Sequence, residues 1–460
     1  MKIRLVIILT LSLLLQSCLV RKEYKRPNNL PVDSLYRDNL STDTSGIGSI
    51  SYKVFFTDTT LLHYIEKGIN NNIDMQIALQ QLLIAKAYAK QGKAGYLPQL
   101  NINAQYSNGQ LSQNYVSGFL SQVEEFNMNG MFSYELDVWG KIKSNKKGLL
   151  ASYLQSQEAT KVVKSDIVAL IATNYYQLQA LHEQLKIAKE TLKIREESLQ
   201  INIDLVTSGL QNQLVVDRAQ SMLITNKSLI TSLQSQIKIQ ENVICYLLGE
   251  TSHPIDVNNI YHYNIDSSLS IGIPAYLLRN RPDIREAEYN LINAFELVNV
   301  ARTNFYPKFT ITASGGYQST QLNNWFSPNS MFYNLIGGIA QPILNQRNIK
   351  TQYEVAKSNQ EISVLNFKKS LLNAGKEVSD SYQNLKTSKH LLELKQEELE
   401  SYENAINTSK DLFISGLANS LEVLNAQESA LNARLDLVKL RLDELNYYTT
   451  LYKALGGGYK

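Results

Sequence analysis

Cysteine is nearly missing from this 460-residue chain, and the two present, Cys18 and Cys245, allow one disulfide at most. That excludes a disulfide-stapled scaffold. Histidine is sparse, with five scattered residues, too few to suggest a His-rich metal site. There is no excess of charge of one sign. Lys and Arg number 45 against 42 Asp and Glu, a net of +3, which excludes a protein whose main partner is nucleic acid. Proline is low at nine residues, so very long helices are permitted. Long apolar runs are missing beyond the first twenty residues, which excludes a helical multispan membrane protein. With 44% hydrophobic and 19% charged residues the chain is not a disordered one either. Catalytic patterns are also missing. His182-Glu183 lacks the second His of a zinc-protease motif, and there is no phosphate-cradling Gly loop or nucleophile elbow. No enzyme is expected.

What is there begins with an address. Lys2 and Arg4 precede an apolar stretch from Leu5 to Leu15, too short to span a bilayer and typical of a secretory signal. It ends in Leu15-Gln16-Ser17-Cys18, which resembles a bacterial lipobox, although Gln16 replaces the usual small residue. Acyl chains on Cys18, at about 0.8 kcal/mol per buried CH₂, would tether the chain to a leaflet. Residues 1–17 are read as signal peptide and 18–58 as a lipidated, extended strap.

The rest repeats itself. Gly209-Leu210 recurs as Gly416-Leu417, an offset of 416 − 209 = 207. Ala219-Gln220 and Leu248-Gly249 recur at the same offset as Ala426-Gln427 and Leu455-Gly456. The expected organisation is a first repeat over 59–250, a linker over 251–280 and a second repeat over 281–457. Each copy carries a heptad ladder: Leu178, Leu185, Leu192, Leu199 and Val206, then Leu385, Leu392, Leu399, Ile406 and Phe413. A seven-residue apolar period keeps one seam against a partner helix. Helices are expected over Lys141–Thr207 and Gln211–Leu248, and over Asn348–Ile414 and Asn419–Leu455. A ~67-residue helix is about 100 Å long. The breaks at Ser208-Gly209 and Ser415-Gly416 make each pair a hairpin with a glycine at its tip. A further helix is expected before the strands of each copy, over Thr60–Gly95 and Pro282–Phe305.

Between helices the period switches to two. Leu100, Ile102, Ala104 and Tyr106 alternate with Asn101, Asn103, Gln105 and Ser107. Similar alternation runs through Met128–Val138 and Phe309–Tyr317, and less cleanly through Met331–Pro342. Such strands, rimmed by aromatics, match transmembrane β-strands, and a half-buried soluble sheet has the same alternation. Four strands cannot close a barrel, and an open edge in lipid leaves backbone groups unpaired. Membrane-embedded strands would therefore require several chains to share one barrel.

Several motifs now resemble the TolC-like outer membrane factor family, in its efflux lipoprotein (OprM/CusC-like) branch. They are Ile273-Pro274 with Leu277-Leu278-Arg279-Asn280-Arg281-Pro282-Asp283 between the copies, Tyr96-Leu97-Pro98 and Phe305-Tyr306-Pro307 at strand starts, Tyr24-Lys25-Arg26-Pro27 in the strap, and Glu135–Lys141 and Gln341–Leu344 at strand-to-helix turns. The resemblance covers Cys18 to about Gly457. It implies an α/β membrane protein: a homotrimer whose four strands per copy form a 12-stranded β-barrel, continued by a periplasmic α-barrel of coiled-coil hairpins. It implies an outer-membrane location, lipid-anchored and barrel-inserted, and a passive exit duct for small molecules. A periplasmic adaptor and an inner-membrane transporter, commonly of the RND type, would be its partners. A type I protein secretion duct and a periplasmic coiled-coil adaptor or structural lipoprotein are the alternatives; the lipobox favours small-molecule efflux.

The same resemblance places functional residues. Ser208, Gly209 and Leu210, with Ser415, Gly416 and Leu417, would be the tips that meet the adaptor. The periplasmic gate would fall on Glu422, with Asp217 the nearest carboxylate in the first copy and Asn425 where relatives carry a second acid. A threefold axis would bring Glu422 carboxylates together, where water or cations must relieve their repulsion. The plain alternative is a solvated charge favoured by the helix N-terminus. Arg281-Pro282-Asp283 reads as a structural helix start. No cofactor or metal is expected, apart from covalent lipid on Cys18, and the few His and Met give no support for copper or silver as cargo.

Overall fold

The computed structural model describes residues 20–28, 30, 35, 47–110, 122–263, 265 and 277–460. The signal peptide, Cys18 and Ile273-Pro274 lie outside the described residues. In chain order the helices and strands are α1 (Tyr52–Phe55), α2 (Thr59–Asn71), α3 (Ile73–Ala94), β1 (Gln99–Gln110), β2 (Gln122–Leu136), α4 (Lys141–Thr207), α5 (Gln213–Leu248), α6 (Leu277–Asn280), α7 (Pro282–Thr303), β3 (Lys308–Ser319), β4 (Met331–Ala340), α8 (Asn348–Ile414) and α9 (Ser420–Ala454). The long helices match the heptad reading. The helix expected over Thr60–Gly95 is two helices, because Asn72 ends α2 and starts α3. Its Oδ1 accepts from Met75 N at 3.1 Å and its Nδ2 donates to Leu247 O at 2.9 Å.

The chain divides into two compact units. The first comprises Met1–Asn29, Leu82–Ser156 and Glu286–Phe367. Its centre is one antiparallel sheet in the order β1-β2-β3-β4. The register sorts the side chains. Leu100, Phe132, Ala313 and Leu335 stand in one row, with Ala104, Met128, Tyr317 and Met331 in another row on the same face. The alternate rows hold Asn103, Asn129 and Gly316, and Gln105, Asn127 and Gln318. Alternation in the separate strands thus adds up to one apolar and one polar face. Phe332 and Ile336 of β4 break the rule, in keeping with its weaker alternation. On the polar face Gln318 Nε2 donates to Glu125 Oε1 at 2.9 Å and Asn129 Nδ2 to Asn127 Oδ1 at 2.8 Å. On the apolar face nothing among the described residues covers Leu100, Ile102 or Leu335, which are 70%, 74% and 71% exposed. No helix among the described residues is long and apolar enough to cross a membrane.

Aromatic side chains gather at both ends of this sheet. Tyr106, Phe126 and Trp325 form a chain of ring contacts at one end. At the other, Trp139 packs on Tyr306 and Phe309 and its Nε1 donates to Pro307 O at 2.7 Å. Trp139 therefore braces the start of β3. In the same unit the strap lies along α7. Arg21 pairs with Glu296 at 2.9 Å, Lys22 N and O exchange hydrogen bonds with the Asn299 amide, and Arg26 grips both Glu288 oxygens at 2.7 and 2.6 Å.

The second unit comprises Leu30–Gln81, Gln157–Arg285 and Lys368–Lys460. The second-copy hairpin packs as the ladder requires: Leu399, Ala430, Ala433 and Leu437 form a buried cluster, with Leu392 and Ile406 against it. In α4 Leu178 of the expected ladder is fully buried, but further along the helix the most buried seven-residue series is displaced by three positions, to Leu181, Ala188, Arg195 and Asn202. The expected ladder residues Leu185, Leu192, Leu199 and Val206 are less buried beside it. Two polar hubs hold this unit. Arg281 is buried; it binds both Asp283 oxygens, reaches Glu377 at 2.7 Å and donates to Ala454 O at 3.0 Å, a cation on the end of α9. The other hub is Asp58, the N-cap of α2.

Candidate functional site: the hairpin tips

Each tip is built by its sequence in the same way. Gly209 and Gly416 have φ of 73° and 72°, the left-handed region that costs other residues roughly 1–2 kcal/mol. Around Gly209 the N–H of Leu210 donates to Leu205 O and that of Gly209 to Val206 O. Leu417 and Gly416 repeat the pattern on Leu412 and Phe413. These paired bonds satisfy the last carbonyls of α4 and α8. The following helices start on asparagine. Asn212 Oδ1 accepts from Leu214 N at 3.1 Å and Asn419 Oδ1 from Leu421 N at 3.2 Å. Open space surrounds both glycines, so the backbone conformation rather than crowding selects glycine there. Leu210, Leu214, Ile414 and Leu417 are all exposed, leaving the tips apolar.

Just beyond the tips the two hairpins meet through polar side chains. Arg218 Nη2 of α5 donates to Asn425 Oδ1 of α9 at 3.0 Å. Arg195, 4% exposed, donates from α4 to Glu428 Oε2 at 2.5 Å. Ser198 Oγ stands 3.5 Å from Gln427 Oε1. Between α4, α8 and α9 an open cavity of about 350 Å³ is lined by Asn202, Phe413, Val423 and Leu424 among others. An amide at 425 can accept from a neighbouring arginine without adding a charge, and Asn425 is used in this way.

The expected gate residues have different partners. Asn425 is joined to the first hairpin. Asp217 accepts from Gln213 Nε2 of its own helix at 3.0 Å, while the adjacent Arg218 turns to Asn425. Glu422 is exposed in the first turn of α9, where the helix dipole favours a carboxylate, and makes no ion pair among the described residues. Val215, its counterpart in the first copy, is buried at 1%. The first copy therefore contributes no matching charge. Arg195 and Glu428 were not singled out from sequence. The only available signal was an arginine on the buried seven-residue series of α4.

A family model described as outer membrane efflux protein matches residues 64–250 and 273–457. The chain is similar to the cation efflux system protein CusC of Escherichia coli O6:H1, 28% identical over 453 residues, 98% of this chain and 97% of that protein. It is equally similar to the probable outer membrane lipoprotein SilC of Salmonella typhimurium, 28% identical over 462 residues, 100% of this chain and 99% of that one. A crystal structure of CusC superposes with a TM-score of 0.84 at 27% identity, over 95% of this chain and 99% of that chain.

Proposed function

The chain belongs to the outer membrane efflux protein family, and from that premise we propose that three copies assemble into one duct that carries small molecules across the outer membrane. The observation that carries this reading is the sheet. It has an uncovered apolar face, a hydrogen-bonded polar face, and outer edges on β1 and β4. In lipid those edges need partners, and neighbouring copies have matching ones. Two copies would give eight strands, whose interior is filled by side chains. Three give twelve and leave a polar bore lined by residues such as Asn103, Asn129 and Gln318. A periplasmic coiled-coil adaptor or structural lipoprotein would have no use for such a sheet.

The hairpin tips are the end that meets the other components. Their exposed leucines and Ile414 offer an apolar docking surface for an adaptor, which in turn engages an inner-membrane transporter. Glu422 on three copies rings the entrance, and the Arg195–Glu428 and Arg218–Asn425 contacts hold it narrow. Acyl lipid on Cys18 adds a tether through the strap, whose contacts to α7 start at Val20. CusC and SilC are named for cation efflux and for an outer membrane lipoprotein. The amide-rich bore here is suited to pass solutes rather than select them, so selection belongs to the transporter.

In planar bilayers the full-length protein is expected to conduct weakly at rest. Glu422→Ala should raise that conductance severalfold and reduce its cation preference. Unchanged conductance and preference would remove Glu422 from the gate.

A further inference from the structure

The cavity between α4, α8 and α9 has a chemistry that the contacts around it leave unused. Its floor is buried: Asn202 is 4% exposed and Leu424 3%. Phe413 and Val423 give it apolar walls. Ile201 and Ile414, 54% and 81% exposed, stand at its mouth with the exposed Lys410. A volume of about 350 Å³ is at the small end of the roughly 300–1,000 Å³ common for small-molecule sites. It suits one fused ring system and is too small for a helix.

Polar groups at the floor and at the mouth are without partners. Asn202 Nδ2 donates to Ser198 O of its own helix at 2.8 Å. That bond fixes the amide, because turning it over would set two oxygens against each other. Its Oδ1 is buried and accepts from no group among the described residues. A buried acceptor in this state is held at a cost and calls for a donor. At the mouth Lys410 makes no ion pair among the described residues, and no carboxylate lines the cavity. The sequence from bottom to top is an acceptor that lacks a donor, apolar walls, and a cation that lacks an anion.

We propose that this cavity is a regulatory site for a small amphiphile. Its occupant has a ring body, a carboxylate at one end that sits on Lys410, and a hydroxyl or N–H at the other that donates to Asn202 Oδ1. Such a molecule touches α4 of the first hairpin and α8 and α9 of the second at once. It ties the two hairpins in their present arrangement and so favours the narrow entrance. The regulatory role rests on reading the tips as the gate; the binding site does not.

The probe is 6-hydroxy-2-naphthoate at pH 7, compared with 2-naphthoate, which lacks the donor, and 2-naphthol, which lacks the carboxylate. Equilibrium dialysis against the full-length protein in lipid nanodiscs, with empty discs subtracted, gives the three affinities. Losing the hydroxyl should weaken binding roughly fivefold, and losing the carboxylate roughly threefold. Asn202→Leu should erase the first difference and keep the second, and Lys410→Gln the reverse. Absence of binding, or three equal affinities on the unmodified protein, overturns the site without any variant having to fold. Differences that survive both substitutions overturn it as well. In planar bilayers 6-hydroxy-2-naphthoate added on the tip side should lower the conductance of the unmodified protein, and Asn202→Leu should need roughly fivefold more of it. Conductance that ignores the compound while dialysis shows the expected order overturns the regulatory role and leaves the site, and the gate is then judged by Glu422→Ala alone.

Discussion

Replacing Asp58 with alanine is expected to destabilise the second unit by about 3 kcal/mol or more, seen as a lower denaturant midpoint for loss of helical circular dichroism in the full-length protein. The residue is 2% exposed and its carboxylate accepts from five donors: Thr60 N, Leu61 N, Asn258 Nδ2, and the hydroxyls of Tyr175 and Tyr263. Capping alone is worth about 1 kcal/mol, and hydrogen bonds to a charged group about 1.5–3 kcal/mol each. Alanine would also leave the donors buried and unpaired. Burial, together with Asp58, pushes the Tyr263 and Tyr175 hydroxyls far above the ordinary tyrosine range, so both remain donors at any physiological pH. Tyr263→Phe removes one donor and should cost about 1–2 kcal/mol. A midpoint unchanged by Asp58→Ala would mean that the hub contributes nothing to holding α2, α4 and the linker together.

Ile102→Arg should block insertion, whereas Asn103→Arg should be tolerated. Ile102 lies on the apolar face of β1 and Asn103 on the polar face beside Asn129. A charge on the lipid side near the bilayer midplane costs about 2–4 kcal/mol, and one facing water in the bore costs little. The readout is the fraction of protein that folds into lipid vesicles and resists extraction by urea. Ile102→Arg should reduce it strongly and Asn103→Arg hardly at all. Equal effects would mean that the two faces do not meet different solvents. The comparison is internal, because neighbouring residues on one strand differ chiefly in the side of the sheet they occupy.

Much of this fold could be read along the chain because its information is local. Heptads and glycine stops placed α4 and α8, and period-two alternation placed the centres and faces of the strands, although β1 runs on to Gln110 and β2 starts at Gln122, in a stretch that reads as polar loop. What escaped depends on partners far away in sequence. Asp58 looked like the tail of the strap, since the residues that make it a hub lie 117 to 205 positions further on. The break at Asn72 has no proline or glycine to announce it and is fixed by Leu247 O. At the tips, the glycines and caps were legible, but Arg195–Glu428 and Arg218–Asn425 join one copy to the other and leave no periodic trace. The displaced series on α4 has the same origin. Its apolar members Leu181 and Ala188 read as part of the seam, but its polar members Arg195 and Asn202 are buried near the second hairpin, and there apolarity pointed to Leu192 and Leu199 beside them.

The most direct measurement is covalent linkage of the sheet edges. Cysteine replaces Asn103 on β1 together with Phe332, Asn334 or Ile336 on β4, three alternate positions along the bore-side face of the opposite edge, and the full-length protein is oxidised in outer-membrane fractions. Three copies around one bore predict that at least one pairing gives dimers and trimers and that none gives a larger species. Monomers at every pairing would contradict a shared barrel.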